Sequence, residues 1–141
     1  MVVLDTDHMS LLEWEERPDT QQLRARLSQL AVTDVATTIV SFEEQVRGWM
    51  SYLSKATQLS HQIEGYRRLK SQLENYCEVP VLEYDDRAAR EFERLRHLRL
   101  RIGTMDLKIA AIVVAHGATL LTRNLVDFRK VPGLKVEDWT T

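Results

Sequence analysis

Five short apolar runs, separated by stretches of helical periodicity, limit what this chain can fold into. Val2-Val3-Leu4, residues 34–40, Val79-Pro80-Val81-Leu82, residues 118–122 and a run around 134–137 read as strands. Continuous rather than alternating apolar character marks strands covered on both faces. Between the first two, Met9, Leu11 and Leu12 indicate a short helix, and Leu23, Leu27 and Leu30 a second one capped by Asp19 or Thr20. From Ser41 the period lengthens: Phe42, Val46, Met50 and Leu53, then Leu59, Ile63, Tyr66, Leu69, Leu73 and Tyr76, describe a helical hairpin. A charged helix over 86–98 capped by Asp85 or Asp86, a helix from Thr104 to His116 closed by Gly117, and a helical turn at 124–129 complete the pattern. Strands alternating with helices predict one α/β domain over 1–141, a central parallel sheet with helices on both faces.

Acidic residues fall where such a sheet places its ligands. Asp5 follows the first strand, Glu44 follows the second, Asp106 sits in the first turn of the 104–116 helix, and Asp127 closely follows the fourth strand. In open parallel sheets these points converge at the carboxyl ends of the strands. Converging carboxylates repel unless neutralised, and Mg²⁺ or Mn²⁺, which prefer oxygen ligands, neutralise them most simply. Each acid also has a plainer use. Asp5 can be an N-cap, Glu44 a solvated helix residue, Asp106 a partner of the helix dipole, and Asn124 and Asp127 turn residues. Glu43, about 100° round the helix from Glu44, competes with it, and either Asn124 or Asp127 can reach a metal. Asp106 is the strongest candidate. The helix after it, Ile109 to Ala115, is apolar nearly all round, so a carboxylate at its start is costly without a cation or donors.

A net charge of −2 argues against a generally basic nucleic-acid binder, so any such contact needs local patches. Arg94, Arg96, Arg99 and Arg101 precede the 104–116 helix, and Arg123, Arg129 and Lys130 flank the last acids. Arg94 and Arg96 are as well explained by pairing with Glu91 and Glu93. Arg101 and Arg123 are the better phosphate-binding candidates, being close to proposed ligands. Trp14, Trp49 and Trp139 are read as packing residues. The single Cys77 excludes an internal disulfide, fits a reducing compartment and is expected to be at least half-buried. No apolar stretch is long enough for a membrane span, and the expected location is cytoplasmic. Zinc patterns, Gly-rich phosphate loops and Gly-x-Ser-x-Gly elbows are absent.

Several segments in order carry a family resemblance. They are Leu4-Asp5-Thr6, Glu44-x-x-x-Gly48, Ile102-Gly103-x-x-Asp106-x-x-Ile109-Ala110-Ala111, Leu121-Thr122-x-Asn124-x-x-Asp127-Phe128 and Val131 to Trp139. Across essentially the whole chain it resembles the PIN-domain ribonucleases, specifically VapC-type toxins of type II toxin–antitoxin pairs. The resemblance implies a PIN-like domain and Mg²⁺- or Mn²⁺-dependent endonucleolytic cleavage of RNA such as tRNA or rRNA. It selects Glu44 over Glu43, marks Asp5 and Asp106 as metal ligands, and carries over Asp127 as the fourth acid with Asn124 as helper. It also implies a homodimer and an antitoxin whose C-terminal segment covers the active-site groove, with apolar residues of helices 7–14 and 41–54 as the candidate surface. A housekeeping RNA-processing nuclease of the same chemistry, or a catalytically degenerate PIN module, are the competing readings.

Overall fold

The computed structural model describes residues 1–13 and 17–141, so Trp14 lies outside the described residues. Five parallel strands form one sheet in the order β3-β2-β1-β4-β5: β1 Val2–Leu4, β2 Val35–Thr38, β3 Val81–Leu82, β4 Thr119–Leu121 and β5 Lys135–Glu137. The helices are α1 Thr6–Glu13, α2 Pro18–Leu27, α3 Ile39–Lys55, α4 Leu59–Cys77, α5 Asp86–Arg96, α6 Thr104–Ala115 and α7 Leu125–Phe128. The chain leaves β1 toward β2 and β3, then returns to lay β4 on the other side of β1. That reversal is a topological switch point, where open α/β sheets leave a crevice beyond the strand ends.

Side-chain alternation along the central strands divides the core into two layers. Val3 and Leu120 face one way, into a cluster with Leu95, Ile109, Ile112 and Phe128. Leu4 and Leu121 face the other way, onto Met9, Leu23, Tyr76 and Trp139. Helix α6 is buried on most of its circumference, as its composition predicts. Trp139 is core, with the Arg26 guanidinium 4.4 Å above its ring, and Trp49 packs edge-on to Tyr52.

Several sequence-derived boundaries move for local reasons. Ile39 and Val40 have strand propensity but open α3, because the Thr38 side chain accepts Ser41 N–H at 3.0 Å and starts the helix there. Helix α2 begins at Pro18, whose fixed φ suits a first helical turn, and neither Asp19 nor Thr20 is its N-cap. Helix α6 starts at Thr104 as expected, with Gly103 as its N-cap. Asp85 caps α5 as expected. Cys77, at the last position of α4, is exposed rather than buried. Among the described residues no helix is long and apolar enough to cross a membrane.

Met9 and Leu11 of α1 are spent on the core. Exposed apolar surface lies instead on the hairpin, at Met50 of α3 and at Leu59, Ile63, Tyr66 and Leu73 of α4. The two hairpin helices meet at Gly65, where an added Cβ would stand 2.5 Å from Leu53 Cδ2 and 2.9 Å from its Cγ. Gly48, further from the crossing, has nothing within 4 Å of such a Cβ. Alanine in a helix gains about 1 kcal/mol over glycine, whereas overpacking costs about 1–3 kcal/mol. Urea unfolding should therefore show Gly48→Ala stabilised by up to about 1 kcal/mol and Gly65→Ala destabilised by about 1 kcal/mol. Equal stabilisation of both variants would mean that the α3–α4 contact is looser than described.

Candidate active site

Each acidic residue reaches the carboxyl edge of the sheet on a different segment. Asp5 is the first residue beyond β1, and its N–H bonds to Leu121 O at 3.1 Å, tying the ends of β1 and β4 together. Its side chain is buried; Oδ1 accepts His8 N–H at 2.8 Å, and His8 Nδ1 lies 3.2 Å from the same oxygen. Asp5 is thus an N-cap and a candidate site residue at once. Glu44 lies in the second turn of α3, which follows β2 directly, and Thr6 Oγ1 donates to its Oε1 at 2.7 Å. Its neighbour Glu43 turns away and pairs with Arg47 at 2.6 Å. Asp106 belongs to the first turn of α6, a helix running back against the strands so that its N-terminus meets their carboxyl ends.

Asn124 caps α7, accepting Asp127 N–H at 3.4 Å, and donates from Nδ2 to Asp127 Oδ2 at 3.1 Å. Lys130 Nζ holds the other Asp127 oxygen at 3.1 Å. These two partners keep the Asp127 carboxyl below its ordinary range. Asp106 goes the other way. Burial first, then the charges of Glu44, Asp5 and Asp127, push its carboxyl up to about 6. The four acids selected from sequence are therefore electrostatically coupled through Asp106.

Three further residues belong to this neighbourhood. Asp7 forms with Asp5 and His8 a group whose ligand atoms lie within 4.8 Å of one another. Asp7 is already neutralised, however, by Arg123 Nε and Nη2 at 2.6 and 2.7 Å, and Arg123 Nη1 reaches Asp19 at 3.1 Å. Arg123 is thus committed to carboxylates, contrary to its expected phosphate role. His8 is fully buried. Tyr76, buried at the end of α4, has its hydroxyl pushed upward by burial and by the charges of Glu13, Glu44 and Asp5, so it stays neutral. Periodicity identified Tyr76 only as a helix residue; nothing local marks its approach to the site.

The chemistry of this donor set, carboxylate oxygens with unrelieved like charge at Asp106, fits a hard divalent cation. Without one, the folded state retains a proton on Asp106 that the unfolded chain, at 3.8, has released. The Asp106 contribution to stability is therefore full below pH 3.8 and is lost as pH rises through about 6. Because the group is only partly buried, solvent screening reduces the effect to about 1–2 kcal/mol. In EDTA, Asp106→Asn should be the more stable protein at pH 7.5, with the difference shrinking toward pH 4. A parent stability that stays flat over that interval would contradict the coupling.

Comparison with known proteins agrees with this architecture. The family model described as PIN domain matches residues 2–134. The chain is 46% identical over 48 residues to Ribonuclease VapC1 of Rickettsia felis, covering 34% of this chain and 36% of that protein. It is 36% identical over 65 residues to the tRNA(fMet)-specific endonuclease VapC of Salmonella typhimurium, covering 43% and 49%. The aligned segments thus span between a third and a half of those relatives' lengths. The fold resembles the crystal structure of DNA-bound VapBC from Salmonella typhimurium, with a TM-score of 0.78 and 22% identity over 98% of this chain and 97% of that one.

Proposed function

We propose that this chain, which belongs to the PIN domain family, is a Mg²⁺- or Mn²⁺-dependent endoribonuclease acting as the toxin of a type II toxin–antitoxin pair. What supports it most is the placement of Asp5, Glu44, Asp106 and Asp127 at the carboxyl edge of the sheet, where burial and the charges of Glu44, Asp5 and Asp127 push the Asp106 carboxyl up to about 6. Asp5 and Asp106 would be the central ligands, Glu44 would bind directly or through water, and Asp127 would complete the site. A divalent ion held there would supply an activated water, neutralise the phosphate and stabilise the leaving oxygen. The surrounding residues orient the ligands: His8 and its backbone hold Asp5, Thr6 holds Glu44, and Asn124 with Lys130 holds Asp127. Asp7 is a weaker ligand candidate, since an ion there would have to displace Arg123.

RNA of the tRNA or rRNA class is the proposed substrate, by analogy with a relative named for tRNA(fMet). The antitoxin would lay apolar side chains along the hairpin, in a groove of about 450 Å³ lined by Phe42, Val46, Tyr66, Leu69 and Leu73. Homodimer formation is part of the same proposal.

Purified protein should cut cellular RNA at a few mapped sites with Mg²⁺ or Mn²⁺ and not with EDTA. Asp106→Asn should lower the rate by about a hundredfold or more. Absence of cleavage by folded, antitoxin-free protein, or full cleavage by folded Asp106→Asn, would overturn the reading.

A further inference from the structure

Most cations near the carboxylate edge are paired, whereas Arg99, Arg101 and Arg129 are exposed and pair with no carboxylate among the described residues. Arg94 and Arg96 pair with Glu91 and Glu93, each at 2.8 Å, Arg123 is held by Asp7 and Asp19, and Lys130 by Asp127. Arg99 and Arg101 also take positive φ, 52° and 57°, a backbone region in which glycine is usual and an L side chain uncommon. The loop is anchored: Lys130 Nζ bonds to Arg101 O at 3.3 Å while it holds Asp127. One lysine thereby joins the arginine loop to the acidic centre.

A cavity of about 470 Å³ opens beside this loop, between α5 and α6. Arg96, Arg99, Arg101 and Lys108 line it together with the apolar Phe92 and Leu107. Lys108 Nζ lies 5.8 Å from the Phe92 ring centroid. Cations for a phosphodiester beside an aromatic surface for a base is the composition of single-strand binding sites. At 100° per residue, Thr104 and Lys108 project from one side of α6 and Asp106 from the other. The cavity therefore flanks the carboxylate centre and is not part of it. A strand entering a centre of net negative charge needs cations for its neighbouring phosphates, and these two arginines are uncommitted.

We propose that Arg99 and Arg101 form a subsite for an unpaired RNA nucleotide flanking the bond to be cut, gripping its phosphodiester backbone. The subsite rests on the nuclease reading above. Glycine at both positions should keep the left-handed backbone while removing the guanidinium groups.

The test uses the Asp106→Asn protein with Mg²⁺, so that RNA stays intact, and measures binding of a short unstructured oligoribonucleotide by fluorescence anisotropy across a salt series. Adding Arg99→Gly and Arg101→Gly should weaken binding tenfold or more and reduce the salt slope by about 1.4, the loss of two single-strand phosphate contacts. Thermal stability should not fall, and the Arg99→Lys/Arg101→Lys pair should retain most of the affinity. Unchanged binding by the glycine pair, or a loss no larger than that of an Arg90→Gln/Lys135→Gln control, would overturn the subsite. Preferential capture of poly-glutamate through these arginines would overturn it in favour of an acidic peptide. Parallel cleavage assays on protein with Asp106 intact separate the two failures. Metal-dependent cleavage with RNA binding indifferent to the arginines refutes the subsite alone, whereas neither cleavage nor binding refutes the nuclease reading too.

Discussion

Asp5, Glu44, Asp106 and Asp127 reach one edge of the sheet from separate segments, and three of the four are held by a device that keeps the carboxylate in place against the repulsion of the others. For Asp5 the device is the first turn of α1, whose His8 N–H it caps. For Glu44 it is the hydroxyl of Thr6, and for Asp127 the pair Asn124 and Lys130. Among the described residues Asp106 has no comparable donor, and burial together with the neighbouring charges raises its carboxyl. The parallel sheet makes the convergence possible. Reversal of the strand order between β1 and β4 opens the crevice, and α6 runs back so that its N-terminus arrives there. A buried, nearly all-apolar α6 fixes that N-terminus.

Positive charge is distributed with equal economy. Arg123 stitches α1 and α2 to the loop after β4 by binding Asp7 and Asp19. This removes Asp7 from the pool of free carboxylates and leaves the Asp5–Glu44–Asp106 side as the place where negative charge stays unrelieved. Lys130 neutralises Asp127 and anchors the backbone of Arg101. Two cations close in sequence to the site thus serve the protein's own geometry, and the arginines on the left-handed loop are left facing outward.

Much of this was legible in the sequence because it follows from short-range rules. Apolar runs and helical spacing located the strands, the hairpin and the buried α6, and the acids fell at strand ends where ligands gather. Residues 39 and 40 were misread because β-branched propensity is outweighed by the Thr38 cap. Arg123 was misassigned because its partners Asp7 and Asp19 are more than a hundred residues away in sequence. His8 and Tyr76 carried no local mark; burial against Asp5 and Glu44 is decided by how α1 and α4 pack on the sheet. Proximity in sequence is a poor guide to the partners of a long cationic side chain, and a good one to helix caps.

The most direct test of the central claim is a crystal structure with bound Mn²⁺, the ion located by its anomalous scattering. The account predicts an ion among the carboxylates of Asp5, Glu44 and Asp106, with the Asp7–Arg123 pair intact. An ion held instead by Asp5, Asp7 and His8, with Arg123 displaced, or no bound ion at the carboxylate edge, would contradict it.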